Sequence, residues 1–494
     1  MSSSPCAAPP SPSSSSDPMR DGLRKKLVLL SLVGAGLVGS SLPAAAQDLI
    51  QSWQAALARD PVYAAARAAY RAGQERLPQA RAALRPTVTA EVGAEYLEVR
   101  GASNLSRADS GNRGTWALAL TQPLFDRAAW EAMDQARLLV ADNEVALAQA
   151  QQALILRLSQ AYFDVLAAQD TLAAIEAEKS AVAEQLAFAK RNFELGNATV
   201  TDTHEAQSRY DLLIAQELAA GNTLDLARDT LATVTGERPL ALAELPYETR
   251  LPAPVPARQD DWITQATRAS LAVQRTQLQT QAAQRGIEIA RSGHYPRLDL
   301  RASSGSATNS GLQNRNLPAS LSGRPLDSNV GVVLSIPIYT GGGTSSRVTE
   351  QIELAEQARQ NALAARLEAE RDARQFFSGV TTGLARIRAL EAGELSSRSA
   401  VQANRTGYEM GVRINLDVLN AQQQLYTTLR DLARARYDTV MASLRLRAAT
   451  GTLSESDLEA VNRLLVPATG EAGSRMAERA RAARQATTPP GVTR

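Results

Sequence analysis

Cysteine, histidine and aromatic residues are all scarce in this chain, and each shortage closes off a class of function. The single thiol, Cys6, lies upstream of the first apolar run, so beyond that run no disulfide, thiolate metal site or lipid-anchored cysteine can form. The two histidines, His204 and His294, come with no glycine-rich phosphate loop and no spaced cluster of metal ligands, so the chain is predicted to be no enzyme and to hold no cofactor or metal. His204 reads as a helix-surface residue rather than a base. Aromatics are 4% of 494 residues while Ala, Gln, Arg and Leu dominate, which favours long packed helices over a compact enzyme core.

Arg20, Arg24, Lys25 and Lys26 precede an apolar stretch from Leu27 to Val38, and Pro43-Ala44-Ala45-Ala46 then supplies small residues before Gln47. That order marks a cleaved export signal over residues 1–46, and the apolar stretch is too short to span a bilayer. Residues 1–18 are rich in Ser and Pro, which is odd in an export signal, so translation is expected to begin at Met19; the mass of the unprocessed precursor tests this hypothesis. Without residues 1–46 the basic side chains number 49 and the acidic ones 49, a neutral balance with no electrostatic footprint for nucleic acid.

The chain repeats itself. Phe193-Glu194-Leu195-Gly196 returns as Tyr408-Glu409-Met410-Gly411, Asp202 as Asp417, Ala206-Gln207 as Ala421-Gln422 and Thr235-Gly236 as Thr450-Gly451, all at an offset of 215. Pro123-Leu124-Phe125 returns as Pro337-Ile338-Tyr339 at 214 and Pro86 as Pro296 at 210, so the length differences fall in loops. The first repeat is placed at 47–244, with strands at 87–98 and 115–124 and long helices at 127–195 and 202–235. The second is placed at 259–466, with strands at 297–306 and 328–339 and long helices at 344–410 and 416–450. Between them the linker 245–258 carries Pro246, Pro252, Pro254 and Pro256, which bar a helix, and 467–494 shows no periodicity and reads as a flexible tail. The glycines at 341–343 read as a bend between strand and helix.

From Arg127 to Phe193 there is no Pro or Gly, and a helix of that length extends about 100 Å at about 1.5 Å per residue. Leu147, Leu154, Leu158, Ala161, Val165, Ala168, Leu172 and Ile175 recur at spacings of three and four after the first step of seven, the seam of a coiled coil. A helical hairpin in any structural protein explains that seam equally well.

Val88, Ala90, Val92, Ala94 and Tyr96 alternate with polar or small residues, as do Trp116, Leu118 and Leu120, then Leu298 and Leu300, then Val330, Val332, Leu334, Ile336 and Ile338. Each stretch is near the length a tilted strand needs to cross a bilayer. A soluble sandwich with one wet face accounts for such strands too. In lipid, four strands leave open edges whose unpaired amides cost several kcal/mol each, so closure requires further copies of the chain. Glu91, Glu95, Asp299 and Arg301 on the polar side then predict a wet interior, with the polar loops 100–114 and 307–327 facing outward.

The segments TQPLFD at 121–126, AYFDVLAAQ at 161–169, RNFELGNATVTD at 191–202, SIPIYTGGG at 335–343 and GYEMGVRINLDVLNAQ at 407–422 resemble the TolC family of outer-membrane factors, from Asp48 to about Leu465. The resemblance implies an α+β membrane protein. In it a homotrimer builds one twelve-stranded outer-membrane β-barrel, four strands per chain, continued by a long α-helical coiled-coil tunnel through the periplasm. It implies the exit duct of a tripartite efflux or type I secretion system, with porin activity, docked to a periplasmic adaptor (membrane fusion protein) and an inner-membrane transporter of ABC or RND type. Outer-membrane lipid is then the partner of Val88, Val92, Tyr96, Trp116, Leu118, Leu120, Leu298, Leu300, Val332, Leu334 and Ile336.

The family places its closed end at the turns between long helices, here at Gly196 and Gly411. Comparing the repeats points to the same place, because Tyr408 and Arg413 stand where the first repeat has Phe193 and Ala198. By resemblance, Asp202 and Thr201 receive bonds from Tyr408 and Arg413 in a gate latch, a task suited to the planar guanidinium. Helix capping by Asn415, Asp417 and Asp202 is the plainer explanation of the same residues. The family pattern also puts two acidic rings at the pore constriction, at positions Asp417 and Asn420; with Asn at the second, a cation preference is expected to persist but be milder.

A periplasmic helical-hairpin adaptor or structural protein is the main rival. Such an adaptor has one hairpin inserted in a soluble β domain, whereas this chain has two hairpins in tandem repeat.

Overall fold

The computed structural model describes residues 47–99, 109–196, 198–238, 241–310 and 326–467. The expected export signal, the centres of the two strand loops and the tail beyond 467 lie outside the described residues.

In the first repeat α1 (Leu49–Arg59), α2 (Pro61–Gln74) and α3 (Arg76–Ala82) lead into β1 (Thr87–Val99), β2 (Asp109–Phe125), α4 (Arg127–Glu194) and α5 (Val200–Thr235). In the second α6 (Gln259–Ala269) and α7 (Leu271–Arg291) lead into β3 (Arg297–Ser310), β4 (Leu326–Ser335), α8 (Gly343–Glu409) and α9 (Asn415–Ala449), and α10 (Glu455–Asn462) follows. Local chemistry fixes the helix ends. Asp48 and Gln51 form a reciprocal capping box on α1, Asp60 caps α2 with Pro61 following it, and Asp126 caps α4 through the Ala129 amide. At its far end α5 stops on Gly236, whose φ of 74° is left-handed and cheap only for glycine.

Helix α4 runs 68 residues and α8 runs 67, about 100 Å each at the usual rise. Leu154, Leu158, Ala161, Val165, Ala168 and Ile175 of the expected seam are buried, while Leu147 and Leu172 are half-buried. The main core lies where α4 meets α1, α5, α9 and α10, around Trp53, Leu158, Tyr162, Phe163, Leu231, Leu429 and Leu458. Two isolated bridges close this level: Gln47 pairs with Leu242, and Glu244 with Val466. The Tyr162 hydroxyl donates to the Ala243 carbonyl at 2.8 Å, and burial holds its pKa far above the ordinary phenol value. The start, middle and end of the described chain are thus tied to one core.

The proline-rich linker is pinned rather than free. Arg436 on α9 donates to the Pro246 and Thr249 carbonyls at 3.0 and 2.8 Å and lies over the Tyr247 ring, while the Trp262 indole donates to the Pro256 carbonyl at 2.8 Å.

The four strands form one antiparallel sheet in sequence order. Strand β2 opens at Asp109, before the apolar alternation begins, and Asn112 stands opposite both Tyr96 and Ser310. Backbone pairing needs no apolar side chain, so the ladder outruns the pattern that revealed it. The opposite correction applies at β4, which ends at Ser335. Ile336, expected among the lipid-facing strand residues, therefore stands past the last paired position; Pro337 has no N–H to continue a ladder and restricts the residue before it.

Candidate functional site

Two regions carry functional geometry: the sheet and the helix turns. In the sheet, register decides which side chains share a face. Val88 stands opposite Leu120, Leu120 opposite Ala302, and Ala302 opposite Val330, a single row across all four strands. Strand alternation then puts Val92, Tyr96, Trp116, Leu118, Leu298, Leu300, Val332 and Leu334 on that same side. Val92 is 87% exposed and Val330 77%, so nothing in the chain itself covers this face. The reverse face carries the row Thr87, Thr121, Arg301 and Gly331, with Glu91 opposite Ala117 and Glu95 opposite Arg113. At its base Asp299 is buried between Arg297 and Arg301, at 3.0 and 3.5 Å. One apolar and one charged face, with β1 and β4 each paired along one edge only, is a segment of a larger closed sheet. Among the described residues no helix is long and apolar enough to cross a membrane.

The turns joining α4 to α5 and α8 to α9 are built alike. Gly196 and Gly411 both take a φ of 75°, and each donates its amide back into the helix it ends, to Phe193 and Tyr408 respectively. In the second turn the Gly407 carbonyl also accepts from the Val412 and Arg413 amides, at 2.9 and 3.1 Å. Leu195, Met410, Val412 and Ile414 are exposed apolar side chains at these turns.

Within one chain the proposed latch residues are gathered but not joined. Asp202 accepts from the Thr199 amide at 3.0 Å and from its hydroxyl at 2.8 Å, closing a capping box on α5, whose first turn also holds Thr201. Arg413 points its Nη1 at the Asp417 carboxylate, 3.6 Å away and one turn along. The Tyr408 hydroxyl bonds Asn192 and its ring meets Phe188 edge-on at 5.8 Å; burial first, and the nearby Asp202 charge, raise its pKa. Among the described residues no hydrogen bond or ion pair links Tyr408 or Arg413 to Asp202 or Thr201 of the same chain.

Other side chains join the two turns. Asn415, fully buried, accepts from the Gln185 amide at 2.7 Å and donates to the Asp202 carbonyl at 3.1 Å, binding α4, α5 and α9 together. Arg209 on α5 donates to Asn420 at 3.0 Å and to Gln423 at 2.6 Å. Higher up, Arg430 pairs with the buried Glu178 at 3.2 Å, yet burial still outweighs the arginine and raises the Glu178 pKa. The helix-cap reading of Asn415 and Asp417 is corrected, since Ile414 holds the cap position of α9 and no side chain caps it, while Asn415 is drawn instead to Gln185 and Asp202; the role of Arg209 was missed. The one available signal was that Val200 and Gln424 occupy the places of Asn415 and Arg209 in the other repeat.

The model of the outer membrane efflux protein family matches residues 53–237 and 262–452, one block in each repeat. The chain belongs to this family. As an outer membrane efflux protein it resides in the outer membrane and serves as an exit duct for efflux or type I secretion, in a family of channels rather than enzymes. It is 33% identical to outer membrane protein TolC of Vibrio cholerae over 89% of this chain and 98% of that relative. Proteases secretion protein PrtF of Dickeya chrysanthemi is 33% identical over 88% of this chain and 94% of its own. In fold, the outer membrane protein VceC of Vibrio cholerae superposes with a TM-score of 0.69 at 18% identity, covering 82% of this chain and 96% of that one. The two efflux-protein blocks coincide with the two halves of the internal repeat.

Proposed function

We propose that three copies of the chain close their sheets into one twelve-stranded barrel, apolar face to lipid and charged face to water, and that their long helices continue the duct into the periplasm. The observation that carries this reading is the cross-strand row from Val88 to Val330 on a sheet with two open edges. An exposed edge in lipid leaves every second backbone amide unpaired, and only closure removes that cost. The polar reverse face, with Glu91, Glu95, Arg113 and Arg301, suits a water-filled lumen.

The turns at Gly196 and Gly411 form the periplasmic mouth, with Asp417 and Asn420 at its constriction. Across the boundary between neighbouring copies, Tyr408 and Arg413 reach Thr201 and Asp202 and latch the mouth. Support comes from their gathering at the same turns while unjoined within one chain. A periplasmic adaptor docks on the exposed Leu195, Met410, Val412 and Ile414 and couples the duct to an inner-membrane transporter.

The deciding experiment is native mass spectrometry of the detergent-solubilised protein. A trimer is expected; a monomer soluble without detergent defeats the barrel.

A further inference from the structure

On α9, Asp417, Asn420, Gln423, Thr427 and Arg430 recur every three or four residues and so share one side of the helix. Their charges are unevenly matched. Arg430 is neutralised by Glu178 at 3.2 Å. Asp417 faces Arg413 at 3.6 Å. Arg209, arriving from α5, is held by two amides, Asn420 and Gln423, neither of which carries charge. Its field reaches as far as Glu178, whose ionised form it favours, but that carboxylate is already bonded to Arg430. On this side of α9 Asp417 is thus faced by Arg413, and Arg209 adds a second guanidinium whose bonds go to amides rather than to a carboxylate.

We infer that Arg209 is a charge-selectivity residue of the periplasmic mouth, offsetting Asp417 so that divalent cations are not retained and anionic permeants, bearing carboxylate or phosphate, are admitted. The inference rests on the placement of the constriction at Asp417 and Asn420. Two features make Arg209 effective. Its guanidinium is fixed by a pair of donated bonds rather than swinging in solvent. Asn420 and Gln423, to which it is fixed, are exposed and share a side of α9 with Asp417, so the half-buried guanidinium lies beside the same surface. Three-fold symmetry multiplies the imbalance, and at about 0.1 M salt the screening length of about 10 Å is comparable with the bore of such a ring. The cation preference that Asp417 alone predicts is accordingly cancelled.

The test is the reversal potential of the full-length trimer in a planar bilayer under a potassium chloride gradient, followed by addition of magnesium chloride to the mouth side. Wild type is expected to favour chloride slightly and to tolerate magnesium. Arg209→Gln should raise the potassium-to-chloride permeability ratio about threefold or more and make the conductance sensitive to magnesium, while Arg209→Lys, which keeps the charge, should stay close to wild type. Should Arg209→Gln leave the ratio unchanged while Asp417→Asn lowers it, Arg209 lies off the ion path and the inference fails alone. If neither substitution moves the ratio in a conducting trimer, the placement of the constriction fails with it.

Discussion

Asn415 is the most informative residue to remove. It is fully buried, and its side chain joins α4, α5 and α9 through hydrogen bonds, 2.7 Å from Gln185 and 3.1 Å to the Asp202 carbonyl. Asn415→Ala deletes both bonds and leaves a buried amide and a carbonyl without these partners, at about 1–3 kcal/mol for each, hence about 2–6 kcal/mol together. If the two turns part when the mouth opens, the open arrangement frees both groups to water and escapes this cost. The open-to-closed ratio then rises about 30-fold or more, since about 1.4 kcal/mol is a factor of ten. Single-channel recording measures the open fraction directly, and Asn415→Asp, which can accept but not donate, should fall between. Refutation is clear: a lowered melting temperature with an unchanged open fraction means that the bonds persist in both arrangements and Asn415 only supports the fold.

The sheet and the core supply further expectations. Val92→Lys puts a charge on the lipid face at about 2–4 kcal/mol near the bilayer midplane and should sharply reduce barrel assembly in the outer-membrane fraction, whereas Glu91→Lys, one residue along on the reverse face, should assemble normally and change ion selectivity. Leu158→Ala, in the main core, should cost about 2–5 kcal/mol and lower the melting temperature of the trimer without altering its single-channel conductance. Glu178 supplies a pH dependence. Its folded pKa is raised by burial despite Arg430, so its stabilising contribution is complete below the ordinary carboxylate pKa and is lost as pH rises through the raised value. Melting temperature should therefore climb as pH falls towards the ordinary carboxylate pKa, and Glu178→Gln should flatten that slope.

What the sequence revealed, and what it hid, follows from the range of each interaction. Strand faces and helix seams are local periodicities, so Val88, Leu120 and Val332 could be assigned to one face before any pairing was known. The partner strand of each was not legible, because register depends on residues far away in the chain. Ile336 marks the limit of alternation as a guide: the apolar pattern runs on through Pro337, but the ladder does not. At the turns, the Thr199 and Asp202 spacing carries the signature of a capping box, which explains why Asp202 is engaged within its own helix. Asn415 and Arg209 were hidden for another reason. Each acts on residues more than 200 positions away, and a lone polar residue on a long polar helix gives no sign of which neighbour it will meet.

The two open edges of the sheet also set a counting rule for assembly. One chain has two bare edges, β1 and β4. Joining a second chain pairs one edge of each, so the four bare edges of two chains become two, and an open dimer still meets lipid at both ends. Only the third copy, by meeting both ends at once, brings the number to zero. Partial rings consequently keep unpaired edges in lipid, and the finished ring has no edge at which a fourth chain could enter.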